Sequence, residues 1–380
     1  RIVNPFARRL DWLRRSNNGR EKGMRFGIFL TVRWHQDWTQ EQSLLEALER
    51  IELADQVGLD VWLGEHHFSR HGLLSGLFSF AGSAIAKTKR ARIGMAVLVL
   101  PFHNPIRVAE EAGMLDILSG GRLDLGVGSG YQRQEFEGLG VDLEESRERF
   151  RESLDVIVKA WTEEELTFHG KYTDVEGVAV VPKPIQVPHP PLFIAVSTSP
   201  ETVEYAASRA IPVMVGGPTA ALGKAPEVIG LWRRKMEEFG HKHAHIDPPV
   251  NMNIHVAPTV EEAERDAVGR EDFSTRILAQ IGSPVDKDGR LPKGYEAWAN
   301  RQKDRELASV PGRAGSMALR GSPNVVVERL KEVQELGIDH VFGYFGYPGL
   351  SHKKRMQSIE LFASEVMPHL RQPVGQPAQH

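Results

Sequence analysis

The sequence predicts an α/β fold in which eight strand–helix units close into a (β/α)8 TIM barrel. An inserted hairpin and a long lid-like insertion after the seventh strand interrupt it. Three observations predict this. Short apolar runs alternate with amphipathic stretches along most of the chain, the pattern of a parallel sheet with crossover helices. Eight such units can be counted, the number that closes on itself. No second pattern of elements divides the 380 residues, which disfavours an open doubly wound sheet.

The units follow in order. Arg25–Thr31 (RFGIFLT) is the first strand, and Leu44, Leu45, Leu48, Ile51, Ala54 and Val57 recur at helical spacing until Gly58 stops the helix. Asp60–Gly64 is the second strand and Phe78–Lys87 its helix. Arg92–Leu100 is the third, ended by Pro101, with a helix over Ile106–Leu118 closed by Gly120 and Gly121. Arg122–Gly128 is the fourth, followed by helical spacing across Glu144–Trp161. Leu166–Pro182 then carries HGKYTDVEG between β-prone runs and reads as the inserted hairpin. Pro191–Val196, Ile211–Val215, Asn251–Val256 and Ile338–Phe345 are strands five to eight. Pro200–Arg209, Ala225–Phe239, Val325–Leu336 and His352–Leu370 are helices. The barrel domain spans 24–370, with 272–322, rich in Gly, Pro and charge, as the insertion.

Composition narrows the function. Lys and Arg number 47 against 50 Asp and Glu, a net charge of −3, so no global basic field recruits nucleic acid. There are no cysteines, which removes disulfides, thiolate nucleophiles and zinc-thiolate sites and fits a cytoplasmic protein. No apolar run reaches membrane-helix length. Residues 1–23 carry seven basic and two acidic side chains without an apolar centre. They read as a disordered basic extension rather than as a secretory signal or an amphipathic arm, and the tail 371–380 reads as disordered.

In a barrel, chemistry gathers where strands end. The second strand ends in Glu65-His66-His67. Adjacent strand residues point to opposite faces, so one of the two histidines faces the mouth, which suits acid–base work or hydrogen bonding and weakens a metal reading. Gly126-Val127-Gly128-Ser129-Gly130 is a weak match to a nucleotide fingerprint. It reads better as a strand end stripped of side chains so that a flat ring can approach. Ser197-Thr198-Ser199-Pro200 opens a helix and serves equally as an N-cap or as an anion site. His241, His243 and His245 read as a surface loop.

These residues resemble the bacterial luciferase-like flavin-dependent monooxygenases. MRFGIFL (24–30), GLDVWLGEHHF (58–68), VLVLPFHNPIRVAEEAGMLDILSGGRLDLGVGSG (97–130), GSPNVVVERLKEVQELGIDHVFGYF (321–345) and EVMPHL (365–370) carry the resemblance. It implies a TIM barrel that uses reduced FMN and O2, through a C4a-peroxyflavin, to insert one oxygen atom into a small, apolar organic substrate. It also implies a separate NAD(P)H:flavin reductase and a homodimer built on the helices after strands two and three. By position, His66 is the active-site histidine, with Glu65 orienting a neighbour. Ala96 and Val97 are the site of a non-proline cis peptide behind the flavin. Ser129, Gly130 and Tyr131 lie beside the flavin chain, and Ser197, Thr198 and Ser199 in the phosphate segment. No metal is implied.

The chain departs from luciferase where that protein has arginine aligned with Ser129, glutamate with Val196 and cysteine with Gly128, so the phosphate's cationic partner is open. Arg33, Arg122 and Arg133 are the candidates. The alternatives are a deazaflavin-dependent hydride-transfer enzyme, a metal-dependent hydrolase on the same barrel, and a catalytically silent flavin-binding protein.

Overall fold

The computed structural model describes residues 23–197, 199–216, 223–242, 247–268, 284–286, 288–292, 295 and 319–370. The basic extension up to residue 22, the tail, Thr198, His243, His245 and most of the insertion expected at 272–322 lie outside the described residues.

The eight expected strands form, and all run parallel. They are β1 (Arg25–Leu30), β2 (Asp60–Leu63), β3 (Ile93–Val99), β4 (Leu123–Gly128), β7 (Leu192–Val196), β8 (Val213–Val215), β9 (Val250–Val256) and β11 (His340–Phe345). Neighbours pair in that order. The ring closes through Val215 with Val250 and through Arg25 with His340. The insertion of the notional fifth unit is the antiparallel hairpin β5 (Leu166–His169) and β6 (Asp174–Val178). One strand goes beyond expectation: β10 (Leu319–Gly321) pairs with the end of β9. Three residues are too few to show a period.

The helices are α1 (Gln40–Val57), α2 (Leu77–Lys87), α3 (Pro105–Ser119), α4 (Arg133–Leu139), α5 (Ser146–Thr162), α6 (Pro200–Ser208), α7 (Ala225–Glu238), α8 (Val260–Ala267), α9 (Pro323–Glu335) and α10 (His352–Leu361). Their ends follow from local chemistry. Thr39 caps α1 by accepting the Gln42 N–H, and Gly58 ends it at φ 83°, a left-handed conformation that suits glycine. Asn104 caps α3 ahead of Pro105, and Gly120 closes it at φ 68°. The last helix is shorter than its apolar stripe suggests. After Leu361 the chain widens into a π turn at Phe362–Val366, then tightens at Met367–His369, where Pro368 offers no N–H.

Inside the ring, Trp62, Phe193, Met214 and Phe342 make a compact plug, with Phe29, Ala96 and Val97 packed on it. Glycines on neighbouring strands make room for Trp62: a Cβ on Gly94 would sit 2.3 Å from its ring, and one on Gly27 2.9 Å. Arg92 closes the strand starts with a bidentate pair to Asp124, at 2.6 and 2.9 Å. The barrel is thus filled beneath its mouth, and chemistry is left to the strand ends.

Candidate active site

At the mouth the two adjacent histidines diverge as strand geometry requires. His66 turns toward α4, where its Nδ1 lies 3.1 Å from Glu135 Oε1 and 3.0 Å from the Gln132 amide nitrogen. The two partners ask opposite things of Nδ1, since the Gln132 N–H2 needs an acceptor there and the Glu135 carboxylate a donor; the anion outweighs the amide, so Nδ1–H donates to Glu135 and Nε2 remains the ring's second proton site. The same Glu135 oxygen accepts the His67 backbone N–H at 2.9 Å. The His66 side chain is 14% exposed and Glu135 4%, so the pair is held largely out of water.

His67 turns the other way. Its Nε2 lies 3.0 Å from Glu65 Oε1, and His103 Nε2 lies 2.7 Å from the same oxygen. Glu65 Oε2 accepts the Val99 N–H at 2.6 Å, and its side chain is fully buried. Glu65 therefore orients His67 and His103 rather than His66. Burial alone would raise the Glu65 carboxyl, but the hydrogen bonds from His103 and His67, with the Val99 N–H, hold it below its ordinary range. Burial opposes charge on His67, yet Glu65 and Glu135 raise it on balance.

A third imidazole, His71, stands edge-on to His66 with ring centres 4.5 Å apart. Burial, with the charges of His66 and Arg33 nearby, lowers it well below its ordinary value, so it is neutral. Thr31 donates to the His71 carbonyl at 2.9 Å, which leaves Tyr344 to donate to Thr31 at 3.2 Å. The Arg33 guanidinium lies 3.7 Å over the Tyr344 ring. The neighbouring Val32 sits at φ 52°, rare for a β-branched residue.

The Ala96–Val97 peptide is cis, as the resemblance implies. The β3–β4 register shifts between Met95 and Leu98 at the same place. The glycines of β4 have a partly different cause from the one expected. A Cβ on Gly126 would meet the Met95 carbonyl at 2.3 Å, and one on Gly128 would meet Val97 at 2.9 Å. Close packing on β3 thus already requires them, and Gly128 lies buried under Val97. Gly130 lies at φ 76°, and its carbonyl accepts the Tyr295 hydroxyl at 2.8 Å, so one described residue of the insertion reaches the site. The Tyr131 hydroxyl lies 3.4 Å from the Gln132 amide nitrogen.

At the ends of β4 and β7 a recess is lined by Ser129, Arg147, Arg151, Thr202 and Tyr205. Ser199 is the N-cap of α6, though its Oγ is 3.4 Å from the Thr202 N–H, a long contact. Of the arginines picked from sequence, Arg122 binds the Thr88 and Ala91 turn at the opposite end of the barrel, and Arg133 donates to the Pro284 carbonyl. The arginines that line the recess, Arg147 and Arg151, look in the sequence like the polar face of an amphipathic helix. Glu135 and Gln132 were missed because α4 spans seven residues, too short to show a period. Among the described residues, no cluster of three His, Asp or Glu side chains could hold a metal.

Comparison with known proteins agrees with this geometry. The luciferase-like monooxygenase family model matches residues 24–340. The oxygenase component of flavin-dependent trigonelline monooxygenase from Acinetobacter baylyi is 27% identical over 353 residues, 91% of this chain and 95% of that protein. The 4-hydroxyprotoasukamycin monooxygenase of Streptomyces nodosus subsp. asukaensis is 29% identical over 356 residues, 90% and 91% of the two chains. A monooxygenase structure from Streptomyces bottropensis superposes with TM-score 0.77 at 25% identity, covering 91% of this chain and 99% of that one. The oxygenating constituent of 3,6-diketocamphane monooxygenase from Pseudomonas putida, solved with FMN, shares the fold with TM-score 0.75 at 20% identity, covering 92% and 100%. The chain belongs to the luciferase-like monooxygenase family.

Proposed function

We propose that the chain is a flavin-dependent monooxygenase that takes reduced FMN and O2 as co-substrates and inserts one oxygen atom into a small organic molecule. The observation that carries this reading is the His66 imidazole, fixed at Nδ1 by Glu135 at 3.1 Å and placed at the barrel mouth. The site's residues fit a flavin. Ala96 and Val97, small and partly exposed at the strand end, would back a flat ring, with Gly128 packed beneath Val97. Beyond it lies a recess with two arginines and the buried Tyr205 hydroxyl, which makes no hydrogen bond among the described residues.

When bound, reduced flavin would supply the electrons that activate O2. The protein's part is binding, orientation and proton control. Ala96, Val97, Gly130 and Tyr131 would flank the ring and its chain. Ser129, Ser197, Ser199 and Arg147 would hold the phosphate. His66, with Nδ1–H directed to Glu135, would hold or move a proton at Nε2. Glu65 would keep His67 and His103 in place behind it. The insertion would screen the mouth from water, with Tyr295 already bonded to the Gly130 carbonyl.

A separate NAD(P)H:flavin reductase would provide the reduced flavin. The designation of the Acinetobacter relative as an oxygenase component supports that partnership. The test is anaerobic titration with reduced FMN and with reduced deazaflavin, followed by admission of O2. Saturable FMN binding with O2 uptake supports the proposal. Deazaflavin binding without O2 uptake sinks it.

A further inference from the structure

We infer that Arg151 and Tyr205 are phosphate donors in the recess between α5 and α6, and that through them this chain selects a phosphorylated flavin over an unphosphorylated one. The inference rests on the flavin reading above and adds two residues to it.

Arginines are common around this recess, and most already have a carboxylate partner. Arg147 donates to Glu201 at 2.9 Å, and Arg149 to Glu145 at 2.8 Å. Arg209 makes a two-pronged pair with Asp155, at 2.5 and 3.0 Å. Arg151 differs. It follows Arg147 by one helical turn on the same face, lines the recess, and has no hydrogen bond or ion pair among the described residues. Its one contact of note is with the Tyr205 ring, whose centre lies 5.0 Å from the guanidinium carbon.

Tyr205 is the independent second observation. Its hydroxyl is buried and makes no hydrogen bond among the described residues, although it too faces the recess. A buried polar group without a partner costs about 1–3 kcal/mol, and such groups are rare enough to need a reason. Burial pushes this phenol up to about 12, so the hydroxyl keeps its proton and is a donor. The ring cannot swing freely, because Phe150 packs edge-on at 6.2 Å and Arg209 lies on it at 5.4 Å.

The surroundings fix the ligand's chemistry. Thr202 lies in the first turn of α6, whose leading N–H groups and dipole favour an anion. Ser129 adds a hydroxyl from the end of β4. A free guanidinium, a phenol O–H and a helix start together match the oxygens of a phosphate monoester. An apolar occupant would leave all three unused. The arrangement also answers the loss of arginine at position 129, since a cation one helix away reaches the same recess.

The test measures anaerobic binding of reduced FMN and reduced riboflavin to the full chain, with inorganic phosphate as competitor. The Arg151→Met change should weaken FMN about tenfold or more, as expected for a charged hydrogen bond, while riboflavin binding stays within about twofold. Tyr205→Phe, which removes one oxygen and keeps the ring, should weaken FMN by about three- to tenfold. Arg151→Lys should recover part of the loss, and millimolar phosphate should compete with FMN for the wild-type chain. Unchanged FMN affinity in both Arg151→Met and Tyr205→Phe, or equal weakening of riboflavin, overturns the inference and leaves the flavin reading intact. A wild-type chain that binds neither flavin overturns both.

Discussion

Glu135 and His66 come from elements 69 residues apart and meet at 3.1 Å, with the same Glu135 oxygen also accepting the His67 N–H. One carboxylate thus fixes both the ring of the first histidine and the backbone of the second. If the His66 proton matters to oxygenation, the carboxylate that sets its tautomer must matter too. A Glu135→Gln change keeps the shape but removes the anion. It should lower product formation about tenfold or more, because a neutral amide no longer enforces the Nδ1–H form. Rates of product formation in the two proteins decide this, and equal rates would refute it.

His66→Ala should cut oxygenated product by about 10²-fold or more, in the range of general acid–base groups. Reduced FMN should bind the variant nearly as before, since the phosphate recess lies at other strand ends. A variant that weakens flavin binding in step with product would show that His66 packs against the ring rather than handling a proton.

Glu65 should be a matter of stability first. Its two oxygens serve the Val99 N–H and two imidazoles. Glu65→Gln offers one acceptor oxygen in place of two and leaves at least one buried donor unmet, costing about 1–3 kcal/mol. Chemical denaturation should record that loss. A variant as stable as the wild type would show that His67 and His103 find other partners.

The histidine cluster should shape the dependence of stability on pH. His71 and Glu65 are both lowered in the folded chain. Each therefore contributes stability that is present above its ordinary pKa and lost as pH falls through its folded value. His67 is raised, so its contribution is present below imidazole's ordinary range and lost as pH rises through the raised value. Melting temperature should peak between these limbs. His71→Asn should flatten the part of the acid limb that starts at about pH 6.5, imidazole's ordinary value. An unaltered acid limb in that variant would remove His71 as its cause.

We propose a homodimer on the helices after strands two and three, α2 and α3, as the resemblance implies, with α3 supplying the exposed apolar side chains. On α2, Ala81, Ala84 and Ile85 are buried against the barrel itself. A group of exposed apolar side chains lies on α3 and the segment beside it: Met114, Ile117 and Leu118, with Ile185 and Val187. Leu118 is 65% exposed, so Leu118→Glu should leave the fold intact and shift light scattering from dimer to monomer. A monomeric wild type at micromolar concentration would reject the dimer.

Much of this was legible because period and placement are local. Gly58, Asn104 and Gly120 mark helix ends in the sequence and do so in the structure. The alternation of apolar runs located every barrel strand, and strand order then put Glu65, His66 and Ser129 at one mouth. Partnerships across loops were not legible. His103 lies 38 residues from Glu65 and Glu135 69 from His66, and nothing in either segment encodes the other. Arg151 and Tyr205 were hidden differently. Each fits the period of its own helix, and only the packing of α5 on α6 shows that their polar ends face one recess.

If this barrel passes one atom of O2 to an organic substrate, that atom can be followed by isotope. The most direct measurement supplies reduced FMN, a generic reductase and 18O2 to a panel of aldehydes, ketones, alkanes and thioethers, with mass spectrometry of the products. A product carrying a single 18O atom is expected from at least one class, and its loss in His66→Ala. No labelled product from any class, with the consumed O2 recovered as hydrogen peroxide at the rate of free reduced flavin, would contradict it.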